Sequence, residues 1–215
     1  MTGLCGTARS KTDPMPEWPP HPARLYMALA AAYFECEPGE AEKASLEWLE
    51  GLPAPSLHVS RRATVNEAVP TFVPMNDARS VGRGGSIQTL PVLKRHRAER
   101  LFPRVALAAE EDCVFFRWET EGEPPAEHRE SLGRLCGLVG RLGHSSSLVQ
   151  VWMAEGPGGG LVELRPVQQG GTAWLRVVSK TRGTLERLDA AFRTPPKYRA
   201  VISTAVGYGE VTVPE

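Results

Sequence analysis

Arg79, Arg83, Lys94, Arg95, Arg97, Arg100 and Arg104 stand against a single acid, Glu99, in the stretch from 79 to 104. Cations gathered this densely repel one another unless something anionic lies among them, so the stretch reads as a site for a polyanion. Gly82, Gly84 and Gly85 have no Cβ and let the backbone approach phosphate oxygens closely, while the guanidinium forks offer charge-assisted hydrogen bonds. His96 adds a group that titrates near neutrality. Beside Lys94, Arg95 and Arg97 it meets part of what metal-independent phosphodiester cleavage needs, a base for the attacking hydroxyl and cations for the developing charge. A histidine among arginines serves equally as a phosphate contact. Phe72 or Phe102 could stack on a base, although Phe102 between Leu101 and Pro103 also suits a hydrophobic anchor.

Two smaller constellations have related chemistry. Gly143-His144-Ser145-Ser146-Ser147 joins a helical run to a strand-like one, where the hydroxyls of Ser145 and Ser146 and open N–H groups could bind a phosphate or simply cap a turn. Lys180 and Arg182 precede Gly183 and a helical run, so the helix N-terminus could add its dipole to a phosphate site, or the segment could be a solvated connection.

The whole chain is neutral, with 25 basic and 25 acidic residues, so the surplus on the basic stretch is offset elsewhere; Glu110 to Glu130 holds eight acids against Arg117 and Arg129. Sorted charge of this kind fits polyanion binding, two solvated faces, or an adaptor whose basic arm enters one neighbour while its acidic run meets another. Cys5, Cys36, Cys113 and Cys136 are widely spaced, with no Cys-x-x-Cys pair and no histidine at ligand spacing, so no metal site or disulfide framework is expected, and Cys36 and Cys136 read as core thiols. No cofactor is expected, since a P-loop, a dinucleotide fingerprint and a catalytic triad are absent as local motifs. No apolar run approaches bilayer length and residues 1–10 lack a secretory pattern, so the reading is cytoplasmic, without membrane.

These groups must be positioned by the surrounding elements. Pro19, Pro20 and Pro22 hold the chain extended up to a helix that begins at Pro22, where a missing N–H costs little, and Leu25, Leu29, Ala32 and Tyr33 form its apolar stripe with Arg24 and Glu35 off it. Pro38-Gly39 ends that helix. A second, from about Glu40 to Gly51, should bury Ala44, Trp48 and Leu49 or Leu52. Leu57 and Val59 mark a short strand, after which no clean period returns until Phe102, so residues 62–103 read as an inserted basic arm, with a small hairpin possible at its centre. Val105–Ala109 and Cys113–Glu119 suggest adjacent strands of a hairpin with an acidic tip. From Pro125 to Leu142 a helix carries Leu132, Leu135, Cys136, Leu138, Val139 and Leu142, with Gly133, Gly137 and Gly140 suited to close backbone packing. Strands are expected at Leu148–Ala154, Leu161–Pro166 and Ala173–Val178, the last two joined by a hairpin turn at Gly170-Gly171, then a helix from Arg182 to Arg193 on Leu185, Leu188 and Phe192 and a strand within Val201–Val213. Such an order indicates an α+β fold with helices on one face of a mainly antiparallel sheet.

EWPPHPARLYMALAAAYFE at 17–35, FVPMND at 72–77, VLKRHRAERLFPRVAL at 92–107, GHSSSLVQVW at 143–152 and LRVVSKTRGTLERLDAAF at 175–192 together resemble, in order, blocks of one CRISPR-associated family. It is the type I-G (formerly I-U) Csb-two protein, a fusion of Cas-five-like and Cas-six-like RAMP parts. The resemblance falls on the Cas-five-like part. It implies a single ferredoxin-like RAMP domain over 1–215 with a protruding arm, a non-catalytic role holding the 5′ handle of crRNA and capping the foot of a Cascade surveillance complex, and partners among the backbone and large subunits, with target DNA met through the complex. With the resemblance, the cations of the arm read as RNA contacts, while Ser145, Ser146, Lys180 and Arg182 remain the candidates read above from the residues themselves. The alternative is an endoribonuclease that processes pre-crRNA repeats, with His96 as catalyst. Two departures are expected: relatives carry a first strand just ahead of Met1-Thr2-Gly3-Leu4, so either the sheet lacks one strand or the start is truncated, and the chain to Glu215 leaves no room for the processing half, whether removed, disordered or never encoded.

Overall fold

The computed structural model describes residues 2–5, 15–36, 39–66, 70–74, 97–101, 104–107, 112–143, 147–157, 159–178, 183–193 and 203–211; for 2–5, 66, 70–74 and 97–101 it describes the backbone alone. Among these residues no helix is long and apolar enough to cross a membrane.

The first helix, α1 (Pro22–Glu35), begins where the prolines require. His21 is extended at φ −69° and ψ 136°, and Pro22 occupies the first turn. Leu25, Tyr26, Leu29, Ala30, Ala32 and Tyr33 form its buried stripe. Cys36, expected in the core, is exposed because the helix has ended and the chain turns extended at that residue. α2 (Glu40–Gly51) follows with Leu49 buried and Trp48 and Leu52 packed on the core as expected, joined by Ser45, Leu46 and Glu50, while Ala44 is exposed. Burying Leu46 completely contributes about 1.5–3 kcal/mol.

α3 (Ala126–Leu138) stops four residues short of the expected Leu142 and leaves Leu138 exposed. Its glycines are not close-packed against a sheet. Gly137 and Gly140 face open space, and a Cβ on Gly133 would meet only the side chain of Met153, at 3.7 Å. α2 and α3 are joined by Trp48 stacked on His128 and by Ser45 Oγ 3.0 Å from His128 Nδ1. α4 (Thr184–Arg193) buries Leu185 and part of Leu188, but Phe192 is exposed. The apolar stripes of the four helices meet mainly one another, together with Val139 and Val178.

Strands β2 (Ser56–Ser60), β7 (Phe115–Arg117), β8 (Leu161–Val167), β9 (Ala173–Val177) and β10 (Thr204–Glu210) make an antiparallel sheet in the order β7-β2-β8-β10-β9. The registers Leu57↔Leu164, Pro166↔Tyr208 and Val206↔Leu175 put alternate residues on one face. That face is the sheet's own core, formed by Leu57, Val59, Val162, Leu164, Leu175, Val177 and Tyr208. The Tyr208 hydroxyl, fully buried, donates to the Pro55 carbonyl at 2.9 Å.

Three pairings differ from those expected. β8 and β9 do not form a hairpin across Gly170-Gly171, because β10 lies between them and bonds to both. The region 105–119 is also no hairpin: β6 (Arg104–Leu107) joins β1 (Thr2–Cys5) and β3 (Thr64–Asn66) in a three-stranded sheet, whereas β7 pairs with β2. The opening residues thus supply a strand where none was expected. Leu148–Ala154 forms no strand, only one bridge between Arg141 and Leu148, and Val149 and Val151 pack on the helical cluster. Within the 62–103 stretch, β4 (Pro70–Pro74) and β5 (Arg97–Leu101) pair antiparallel from Pro70↔Leu101 to Pro74↔Arg97. The expected arm's centre, with the small hairpin considered there, lies outside the described residues.

Candidate nucleic-acid interface

Most of the cations singled out by sequence cannot be placed. Arg79, Arg83, Lys94, Arg95 and His96 lie outside the described residues, as do Ser145, Ser146, Lys180 and Arg182. Arg97 and Arg100 stand on β5, and Arg104 begins β6 with its side chain exposed. The hairpin register thus brings the C-terminal end of the basic stretch back beside Pro70–Pro74.

The α4 N-terminus, read as a possible dipole for a phosphate, is filled from within the chain. The first N–H groups of α4 are taken by an internal anion, the Glu50 carboxylate, which is 1% exposed. It accepts from Gly183 N at 2.6 Å, Thr184 N at 3.1 Å, Leu185 N at 3.3 Å and the Tyr26 hydroxyl at 2.8 Å. A helix N-terminus attracts negative charge through its unsatisfied donors and its dipole, and Glu50 supplies both needs from within the chain. Burial, reinforced by the bond to Glu50, raises the Tyr26 phenol well above its ordinary pKa, so it stays a donor.

A second cationic surface is clear in the fold. A groove of about 560 Å³ runs between α1 and the segment 138–148, with Arg24, Arg141, Arg176 and Ser203 on its walls. Arg24 is clamped by Glu17 through Nε and, at 2.6 Å, through Nη2; that bond raises the Arg24 pKa against the opposing effect of burial. Arg141 pairs with Glu35 at 3.1 Å, both side chains being exposed. Arg176 differs. Its guanidinium reaches the Ser203 carbonyl at 3.4 Å and hydroxyl at 3.3 Å, and among the described residues no carboxylate pairs with it. Exposed ion pairs are worth little and exchange readily, so Arg141 can also turn to a phosphate.

The groove borders the expected serine loop. Gly143 lines it at φ 78°, a left-handed conformation suited to glycine, and a Cβ there would sit 3.0 Å from Arg24 Nη1. The loop closes through Leu142 N donating to the Ser147 carbonyl at 2.9 Å.

On β9 the side chains alternate. Leu175 and Val177 enter the sheet core, while Trp174, Arg176 and then Val178 follow the opposite parity. Val178 is buried in the helical cluster, Arg176 stands at the groove, and Trp174 is 70% exposed. Sequence reading missed Arg24, Arg141, Arg176 and Trp174. The alternation of Ala-Trp-Leu-Arg-Val was visible, however, and on any strand it sets Trp and Arg opposite Leu and Val.

Farther across the sheet, His58 lies beside Glu163, with Nε2 4.0 Å from Oε1 and otherwise unpartnered. Burial lowers the His58 pKa; Glu163 opposes this, and Arg117 and Arg165 add to it. Among the described residues no cluster of histidine, cysteine and carboxylate groups could hold a metal ion. Cys136 is a buried thiol whose pKa burial pushes up to about 11.

An α+β chain with a cationic groove can receive an anion, and comparison with known families specifies the class as CRISPR-associated. Residues 6–192 match the model described as CRISPR-associated protein, GSU0054 family, and the chain belongs to that family. Comparisons with curated proteins and with solved structures returned no match.

Proposed function

We propose that this chain is the Cas-five-like, crRNA-binding part of a type I-G Csb-two protein, acting without catalysis to hold the 5′ handle and cap the foot of a Cascade complex. Its α+β core is taken as a ferredoxin-like RAMP domain and residues 62–103 as the RNA-gripping arm. Its partners are crRNA and the backbone and large subunits. Membership in a CRISPR-associated family supports the setting. The observation that carries RNA binding is Arg176, a cation at a groove with Arg24 and Arg141, paired with no described carboxylate. A guanidinium left with only a hydroxyl and a carbonyl still has donors to offer to phosphate.

The test is gel-shift affinity of the intact chain for a single-stranded, repeat-derived RNA across a salt series. Each phosphate contact to a single strand contributes about −0.7 to the log-log slope, so five contacts from arm and groove give about −3.5. A flat response would refute RNA binding and favour a protein adaptor. Incubation of the same RNA with chelator yields no discrete product on this reading; a product lost in His96→Ala would establish the endoribonuclease instead.

A further inference from the structure

Trp174, a large exposed aromatic side chain, stands two residues along β9 from Arg176 at the cationic groove. It lies on β9, the edge strand of the five-stranded sheet, directly opposite Gly207 of β10. If the indole lay flat over that glycine to fill the missing side chain, it would be largely buried. At 70% exposure it does not. The nearest atoms to a Cβ on Gly207 belong to Val167 and Gly171. Two residues along the same face, Arg176 turns into the groove, and two further on Val178 is locked in the helical cluster. The strand thus presents a ring, a cation and an anchor in succession, with the cation and anchor fixed by neighbours and the ring open.

We propose that Trp174 is a stacking platform for one unpaired base of a single-stranded RNA whose phosphates lie along Arg176, Arg141 and Arg24. This rests on the RNA-binding reading above and adds the base contact to it. An aromatic face accepts any base by stacking, and adjacent guanidinium groups hold the flanking phosphates, the combination that single-strand binders use. Charge favours RNA over a protein strand at this edge. A strand would need the backbone of β9 but would leave Arg176 unmatched, whereas a nucleotide satisfies ring and cation together.

The experiment is a fluorescence-anisotropy titration with a repeat-derived, single-stranded RNA in which each base in turn is replaced by an abasic ribose. The unaltered chain loses about 5- to 140-fold in affinity at one position, the range for a stacked base. Trp174→Ala shows the same loss with intact RNA and no further loss with the RNA abasic at that position, and Trp174→Phe restores most of the affinity. An abasic scan on the unaltered chain that is flat to within threefold overturns the inference without any variant. Trp174→Ala binding within twofold of the unaltered chain does the same, as does a Trp174→Ala defect confined to association with another protein. No RNA binding by the unaltered chain at any salt refutes the broader reading and this inference with it.

Discussion

Replacing Glu50 by Gln probes the least expected part of the fold, a buried carboxylate that starts α4 from another helix. Four donors converge on it, from Tyr26, Gly183, Thr184 and Leu185, at 2.6–3.3 Å. Glutamine keeps one oxygen that can accept and turns an NH₂, itself a donor, toward the rest. Bonds to a charged acceptor contribute about 1.5–3 kcal/mol each and neutral ones about 1, while a neutral amide is easier to bury. With two bonds weakened and two lost, partly offset by that easier burial, the net destabilisation is about 3 kcal/mol. For a chain of this length, that lowers the melting temperature by about 6–12 °C. Urea denaturation should show the midpoint falling with the slope unchanged. Tyr26→Phe alone removes one bond, about 1–2 kcal/mol, and should cost far less once Glu50→Gln is present, because the two groups share the same bond. A Glu50→Gln chain within about 0.5 kcal/mol of the original would refute the cap as a source of stability.

Three other outcomes follow from the packing. His58 has its pKa lowered in the folded state, so the unfolded chain binds the extra proton; stability is intact above about pH 6.5 and falls as pH drops below it, and His58→Gln should flatten that part of a thermal-melt pH series. Cys36 should react with maleimide in the native protein while Cys136, buried and with its pKa raised to about 11, reacts only on unfolding, as peptide mass spectrometry can read. Gly171→Ala should cost about 1–3 kcal/mol in chemical denaturation, because its Cβ would fall 2.9 Å from the Gly207 Cα and the Tyr208 nitrogen, both backbone atoms.

The parts of the fold legible in the sequence are those with local causes. Pro22 at a first turn sets the start of α1 to the residue, and Gly39 is followed at once by α2 at Glu40, while α1 itself ends at Glu35, before the expected break. Strand partners were not legible, because pairing depends on which edges remain open after distant segments meet. Thus β10 separates β8 from β9, and β7 chooses β2 over the nearer β6. Leu148–Ala154 had strand composition, but its Val149 and Val151 pack on the helical cluster and only Leu148 makes a bridge. The basic stretch was plain from charge alone, but the structure describes only the β4–β5 pair within 62–103, so the arm and its RNA contacts stand as a proposal. Arg24 was noted as lying off the helix stripe, but its place beside Gly143 and the groove arises from a contact across more than a hundred residues. The donors ahead of α4 looked open to phosphate in sequence, and nothing near them foretold that Glu50 would fill the position.

The most direct measurement is photocross-linking of a 4-thiouridine-substituted crRNA in the assembled complex, with cross-linked peptides identified by mass spectrometry. The account predicts adducts concentrated in residues 79–104 and around Arg141 and Trp174–Arg176. Adducts absent from both regions, with crRNA fully bound in the complex, would contradict it.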